Sequence, residues 1–93
     1  MQQLNCYLCH QLIESTKRLF VGRTNADTRF PICETCKDKI PSRYRMPGGS
    51  HLTNNLVNVY STQKNGDNYT LVEIRFSVRQ KHFEQLPTLL SEA

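Results

Sequence analysis

An α+β fold is predicted by three features of the sequence: two C-x-x-C pairs in its first part, apolar–polar alternation over Tyr69–Arg79, and an apolar tail at helical spacing. With 93 residues, 22% charged and 38% hydrophobic, the chain has room for one small domain, 1–93. A chain this short buries only roughly 60–65% of its unfolded surface, so its core needs a staple. The expected parts are a cysteine-bearing finger at 1–40, a basic loop at 41–55, and a β-hairpin with a short C-terminal helix at 56–93.

Cys6-Tyr7-Leu8-Cys9 and Cys33-Glu34-Thr35-Cys36 use all four cysteines of the chain and lie 23 residues apart. Zinc takes four ligands in a tetrahedron, and thiolates at this spacing supply two from each short turn. One structural Zn²⁺ held by Cys6, Cys9, Cys33 and Cys36 is therefore expected, contributing on the order of 10 kcal/mol to folding. Two disulfides suit a secreted chain, but Met1-Gln2-Gln3-Leu4-Asn5 shows neither the basic start nor the apolar stretch of a signal peptide. The expected setting is reducing and cytoplasmic, where cysteine pairs usually bind metal. No apolar run approaches the roughly 20 residues of a membrane span. Redox C-x-x-C chemistry lacks its βαβ context here, and common iron–sulfur runs are spaced differently. Four thiolates also close the zinc shell, which argues against catalysis at the metal.

Between the pairs, Lys17–Gly22 and Arg29–Ile32 are strand candidates around the turn Thr24-Asn25-Ala26-Asp27-Thr28. The second pair opens a helix, Cys33–Ile40, which Pro41 stops. A knuckle, a hairpin and a helix bearing the second pair resemble the treble-clef zinc-finger superfamily over residues 4–40. Within it, Cys9-His10-Gln11-Leu12-Ile13, Arg18-Leu19 and Cys36-Lys37 are similar to the DksA/TraR-type finger of bacterial and phage transcription regulators. The resemblance implies the same four ligands and transcription machinery as a partner class. The chain departs from that family in having His10 where Gly is usual, a longer inter-pair spacing and no upstream coiled coil, so no polymerase mechanism is carried over.

The formal net charge is +4, and the excess lies in residues 1–50, which hold eight Lys and Arg against four acids. Four thiolates and one Zn²⁺ add a net −2, so part of this excess balances the metal centre. The best nucleic-acid candidate is Lys37, Lys39, Arg43, Tyr44 and Arg45, where cations would neutralise phosphates and Tyr44 would stack on a base. The competing reading is a solvated face that compensates the thiolates. The loop itself is marked by Pro41, Pro47-Gly48-Gly49 and Asn54-Asn55.

In Tyr69–Arg79, alternation sets Val72, Ile74, Phe76 and Val78 on one face, and Leu56–Gln63 is the partner strand. Lys64-Asn65-Gly66-Asp67-Asn68 is the turn, since Asn-Gly suits positive φ angles. A lone hairpin is marginal in water, so its apolar face must cover the tail or the zinc half. The tail predicts a short helix near 80–86 and a final turn after Pro87. An open strand edge offers one route to a homodimer.

His10 reads as a knuckle residue rather than a ligand, and His51 and His82 as surface histidines. A nuclease of the HNH kind would need a histidine base on the first hairpin, and Lys17–Ile32 contains none. The expectation is a non-enzymatic zinc-stabilised binding module, a small regulator or adaptor with a protein partner. Direct DNA or RNA binding is the alternative and an HNH-like nuclease the third.

Overall fold

A computed structural model describes residues 4–14, 16–47, 55–66 and 68–91. Strands β1 (Leu4–Asn5) and β2 (Leu12–Ile13) form a short antiparallel pair around the first cysteines. Strands β3 (Leu19–Arg23) and β4 (Arg29–Cys33) lead into helix α1 (Glu34–Lys39) and a 3-10 turn at Ser42–Tyr44. Strands β5 (Leu56–Asn65) and β6 (Asn68–Arg79) run into helix α2 (Gln80–Ser91). The α+β class is as expected. His51 and the Gly48–Asn54 part of the expected loop lie outside the described residues, as does Asp67 of the second turn.

The larger sheet has the order β4-β3-β5-β6, all antiparallel, so β3 joins the cysteine-bearing half to the second hairpin. Gly22 pairs with Phe30 on one side and Val59 on the other. This places Phe20, Ile32, Val57, Val59, Phe76 and Val78 in one core with Phe83 and Leu86 of α2. The apolar faces of the two hairpins are thereby covered by one helix, which answers the marginal stability of a lone hairpin.

The first turn is set by polar chemistry. Thr24 Oγ1 accepts the Thr28 N–H at 3.2 Å, and Asp27 takes the left-handed conformation at φ 63°, which Asp tolerates better than most residues. The Asp27 carboxylate then accepts from Arg23 Nε at 2.7 Å and Arg29 Nε at 3.3 Å, tying the ends of β3 and β4 together. These two guanidinium contacts hold its pKa below the usual carboxylate value. The second turn is tighter than the expected five residues. Asn65 pairs with Asn68, and Gly66 sits at φ 66°, a conformation that costs glycine nothing.

Two expectations need correction. Alternation placed Val72 and Ile74 with Phe76 and Val78 on the core face, but Val72 is 59% exposed and Ile74 only half-buried. The register runs Val59↔Phe76, Tyr60↔Ile74, Ser61↔Glu73, Thr62↔Leu71, skipping Arg75 and then Val72. Each such bulge adds a residue to β6 and shifts the facing of those beyond it, so a strict period of two does not survive. Bulges also blunt a strand edge, and Met46 further covers β6 by exchanging two backbone hydrogen bonds with Ser77. Secondly, α2 continues through Pro87 rather than ending near residue 86. Proline removes one N–H from the ladder, but Leu86 before it is buried, and Leu89 and Leu90 after it pack against the core. Packing on both sides holds the helix across the gap.

Phe83 approaches the sheet directly above Gly22. A Cβ built on Gly22 meets Val57 Cγ1 at 2.9 Å and Phe83 Cζ at 3.2 Å. Gly22→Ala is expected to destabilise the fold by about 1–3 kcal/mol through overpacking, read by thermal or denaturant unfolding. An unchanged melting temperature would show that α2 is not seated this closely.

Candidate metal centre

The first pair lies on a tight knuckle. The Cys6 N–H donates to the Gln11 carbonyl at 2.8 Å, and the His10 N–H returns to the Cys6 carbonyl at 2.8 Å. His10 adopts φ 64°, the left-handed region that favours glycine. The Asn5 side-chain amide donates to the His10 carbonyl at 3.1 Å and supports that conformation. The second pair straddles the start of α1: Cys33 ends β4 in an extended conformation and Cys36 lies in the first turn, on the buried side.

These elements bring the four Sγ atoms within 4.8 Å of one another, with Cys9 and Cys33 3.9 Å apart. Tetrahedral zinc with bonds of about 2.3 Å requires sulfur–sulfur edges of about 3.8 Å, so the thiols already stand near ligating positions. Cys6, Cys9, Cys33 and Cys36 form a site able to hold one metal ion. The Leu8 and Cys33 N–H groups both donate to Cys6 Sγ at 3.4 Å. Burial alone pushes Cys6 up, but backbone donors from Cys33, Cys9 and Leu8 outweigh it and bring the thiol below its ordinary value. Burial raises Cys33 and Cys36, and the charge of Cys6 raises both further. The backbone donors thus favour the ionised form of Cys6, whereas burial disfavours it at Cys33 and Cys36.

The residues between the first two ligands were missed by the sequence reading. Leu8 is buried, and the Tyr7 ring stacks on Phe83 at 5.2 Å, with Phe30 tilted against both. Burial is the first cause, and nearby Glu84 the second, of the raised Tyr7 pKa. Two apolar residues inside a C-x-x-C turn were the available signal that the knuckle packs on something.

The five basic-loop candidates separate into two groups. Arg45 wraps the end of α1, donating through Nε to the Ile40 carbonyl at 3.0 Å and through Nη2 to Lys37 at 2.9 Å and Asp38 at 3.2 Å. Its guanidinium also lies 4.7 Å over the Phe76 ring. Lys37 sits 4.4 Å over Phe20 and 3.0 Å from the Asp38 carboxylate, with its side chain only 14% exposed. Both cations are engaged within the chain. Lys39 and Arg43 are exposed, and Arg43 stacks 4.7 Å over Tyr44, whose other neighbour is His82 at 4.8 Å.

His10 is exposed and is not among the four clustered ligands. His10→Gly is expected to keep full metal content and leave the melting temperature unchanged or higher. His10→Val should cost about 1–2 kcal/mol, because a β-branched residue is strained at positive φ. Metal loss in the glycine variant would make His10 a ligand.

Comparison with known proteins finds no matching family model, no matching curated protein and no matching solved structure. Among the described residues, no helix is long and apolar enough to cross a membrane.

Proposed function

We propose that this chain is a non-enzymatic binding module, stapled by one structural zinc ion, that engages a protein partner. The observation carrying the structural role of the metal is the position of Cys6 and Cys36 within the hydrophobic core, among Leu8, Phe20 and Ile40. Zinc suits a tetrahedral set of four thiolates, and such a closed shell leaves no position for water or substrate. The succession of knuckle, β3–β4 hairpin and ligand-bearing helix supports placing residues 4–40 in the treble-clef class. The DksA/TraR-like residues add transcription machinery as the partner class to try first.

A protein partner is preferred because Lys37 and Arg45 are occupied inside the chain, which removes two of five charges or rings from the basic candidate. Direct nucleic-acid binding is the second reading, favoured by the exposed Arg43 stacked on Tyr44 beside Lys39. The HNH-like reading has no histidine on β3–β4 to serve as base.

The test is to titrate zinc-loaded protein with labelled duplex DNA, single-stranded DNA and RNA at about 50 and 200 mM salt, a range over which phosphate contacts weaken by orders of magnitude. The expected result is no saturable, salt-sensitive binding. Salt-sensitive binding that Arg43→Ala removes would replace the protein-partner reading.

A further inference from the structure

The four thiols of the metal site differ in what can reach them. Cys6 and Cys36 are 1% and 4% exposed, whereas Cys9 and Cys33 are half-buried. Cys6 Sγ also accepts the Leu8 and Cys33 N–H groups, and donors that stabilise a thiolate make it a weaker nucleophile. Cys9 Sγ lies 3.9 Å from Cys33 Sγ, across the join between the knuckle and the start of α1. A cavity of about 410 Å³, walled by Leu8, His10 and the Pro87–Ser91 end of α2, opens onto Cys9 and the buried Cys36. It admits molecules much larger than a peroxide. Among the possible pairings of the four thiols, only Cys9 with Cys33 joins two accessible sulfurs. A bond within either C-x-x-C pair has to use Cys6 or Cys36.

We propose that Cys9 and Cys33 form a peroxide-sensitive pair, whose oxidation to a disulfide expels the metal from the site. The proposal rests on the structural-zinc reading above and adds the regulation of that site. Metal-bound thiolates stay ionised at neutral pH, and the thiolate is the form that a hydroperoxide oxidises. The Cys9 sulfur attacks one peroxide oxygen, the O–O bond breaks, and the departing oxygen takes a proton and leaves as water. The Cys33 sulfur then attacks the Cys9 sulfenic acid. The S–O bond breaks as the S–S bond forms, and the hydroxide takes a proton to leave as a second water. Two electrons pass from the two sulfurs to the peroxide. A tetrahedral shell that loses two of its four ligands releases its ion, and Cys6 and Cys36 each take up a proton and stay in the core as thiols. The new bond still joins the knuckle to α1 across 24 residues of chain, a cross-link in place of the lost ligation. A small thiol reductant reverses the step by exchange at the half-buried sulfurs.

The test treats the full zinc-loaded chain with a small molar excess of hydrogen peroxide in the presence of a chromogenic zinc indicator. After catalase removes the peroxide, remaining thiols are capped with N-ethylmaleimide. The disulfide is then reduced, and the thiols it releases are capped with iodoacetamide for fragment mass spectrometry. Each chain is expected to release its zinc and lose two thiols, with iodoacetamide on Cys9 and Cys33 and maleimide on Cys6 and Cys36. Dithiothreitol followed by zinc should restore the original metal content. A zinc-loaded chain that keeps its metal and all four thiols, under conditions that oxidise free glutathione, overturns the proposal and leaves the structural-zinc reading standing. Iodoacetamide on Cys6 or Cys36, or sulfinic and sulfonic acids with no disulfide, overturns the pair in the same way. A chain that holds no zinc before peroxide is added overturns the reading and the proposal together.

Discussion

Removing the metal is expected to unfold the whole described fold, the second hairpin and α2 included, and not only residues 4–40. Cys6 and Cys36 belong to the same core as Val57, Val59, Phe76, Val78, Phe83 and Leu86. The knuckle carries Tyr7 onto the face of Phe83, so loosening the ligands removes one wall of the pocket that holds α2. Ligation of a structural zinc supplies on the order of 10 kcal/mol, comparable with the roughly 5–15 kcal/mol total of an ordinary domain. Excess chelator should therefore collapse the dispersion of the Val57, Val59, Phe76 and Val78 amide resonances together with those of β3 and β4. Zinc should restore both sets at one ion per chain. Cys36→Ser should give the same unfolded spectrum. Retention of β5–β6 dispersion under chelation would show two independent folding units, and metal analysis without tightly bound zinc would remove the staple altogether.

Phe83→Ala is expected to be the most damaging single change away from the ligands, at about 3–5 kcal/mol. The ring is fully buried, rests on Gly22, and completes the cluster with Tyr7 and Phe30. Aromatic pairs of this kind are worth about 0.5–1.5 kcal/mol beyond their burial, and Ala leaves the space above Gly22 without filling it. In a chain of this size such a loss lowers the melting temperature by more than about 12 °C. Metal content should persist at low temperature, because none of the four ligands lies on α2. Leu12→Ala serves as control, since Leu12 is half exposed and its truncation should shift the melting temperature little. A Phe83→Ala protein as stable as its parent would overturn the packing of α2.

The cysteine cluster and both hairpin turns were legible because each is local. C-x-x-C spacing, the Thr24–Thr28 turn and Asn65-Gly66 state their chemistry within a few residues. What escaped was non-local or depended on the count along a strand. Nothing near Phe20–Arg23 announces that it pairs with Asn58–Ser61, a partner beyond the helix and the loop. The bulges at Arg75 and Val72 break an alternation that reads as regular, since neither residue is a glycine or proline that would flag the break. Arg45 looked like a free cation because its acceptors are helix-end carbonyls, which have no signature in the sequence. The local cost of Pro87 predicts a helix end there, whereas the packed leucines on either side carry α2 through it.

The pairing of β3 with β5 also sets an order of events in folding. The β3–β4 and β5–β6 hairpins each close over a few residues, but Gly22 meets Val59 across 36 intervening residues. Local turns form on microsecond timescales, and distant pairings wait for the chain to search. Ligation at both cysteine pairs would fix β3, β4 and α1 as one body and shorten that search to the chain from 41 to 55. A metal bound there would act on the rate of assembly as well as on its equilibrium, by delivering a finished strand for the second hairpin to meet.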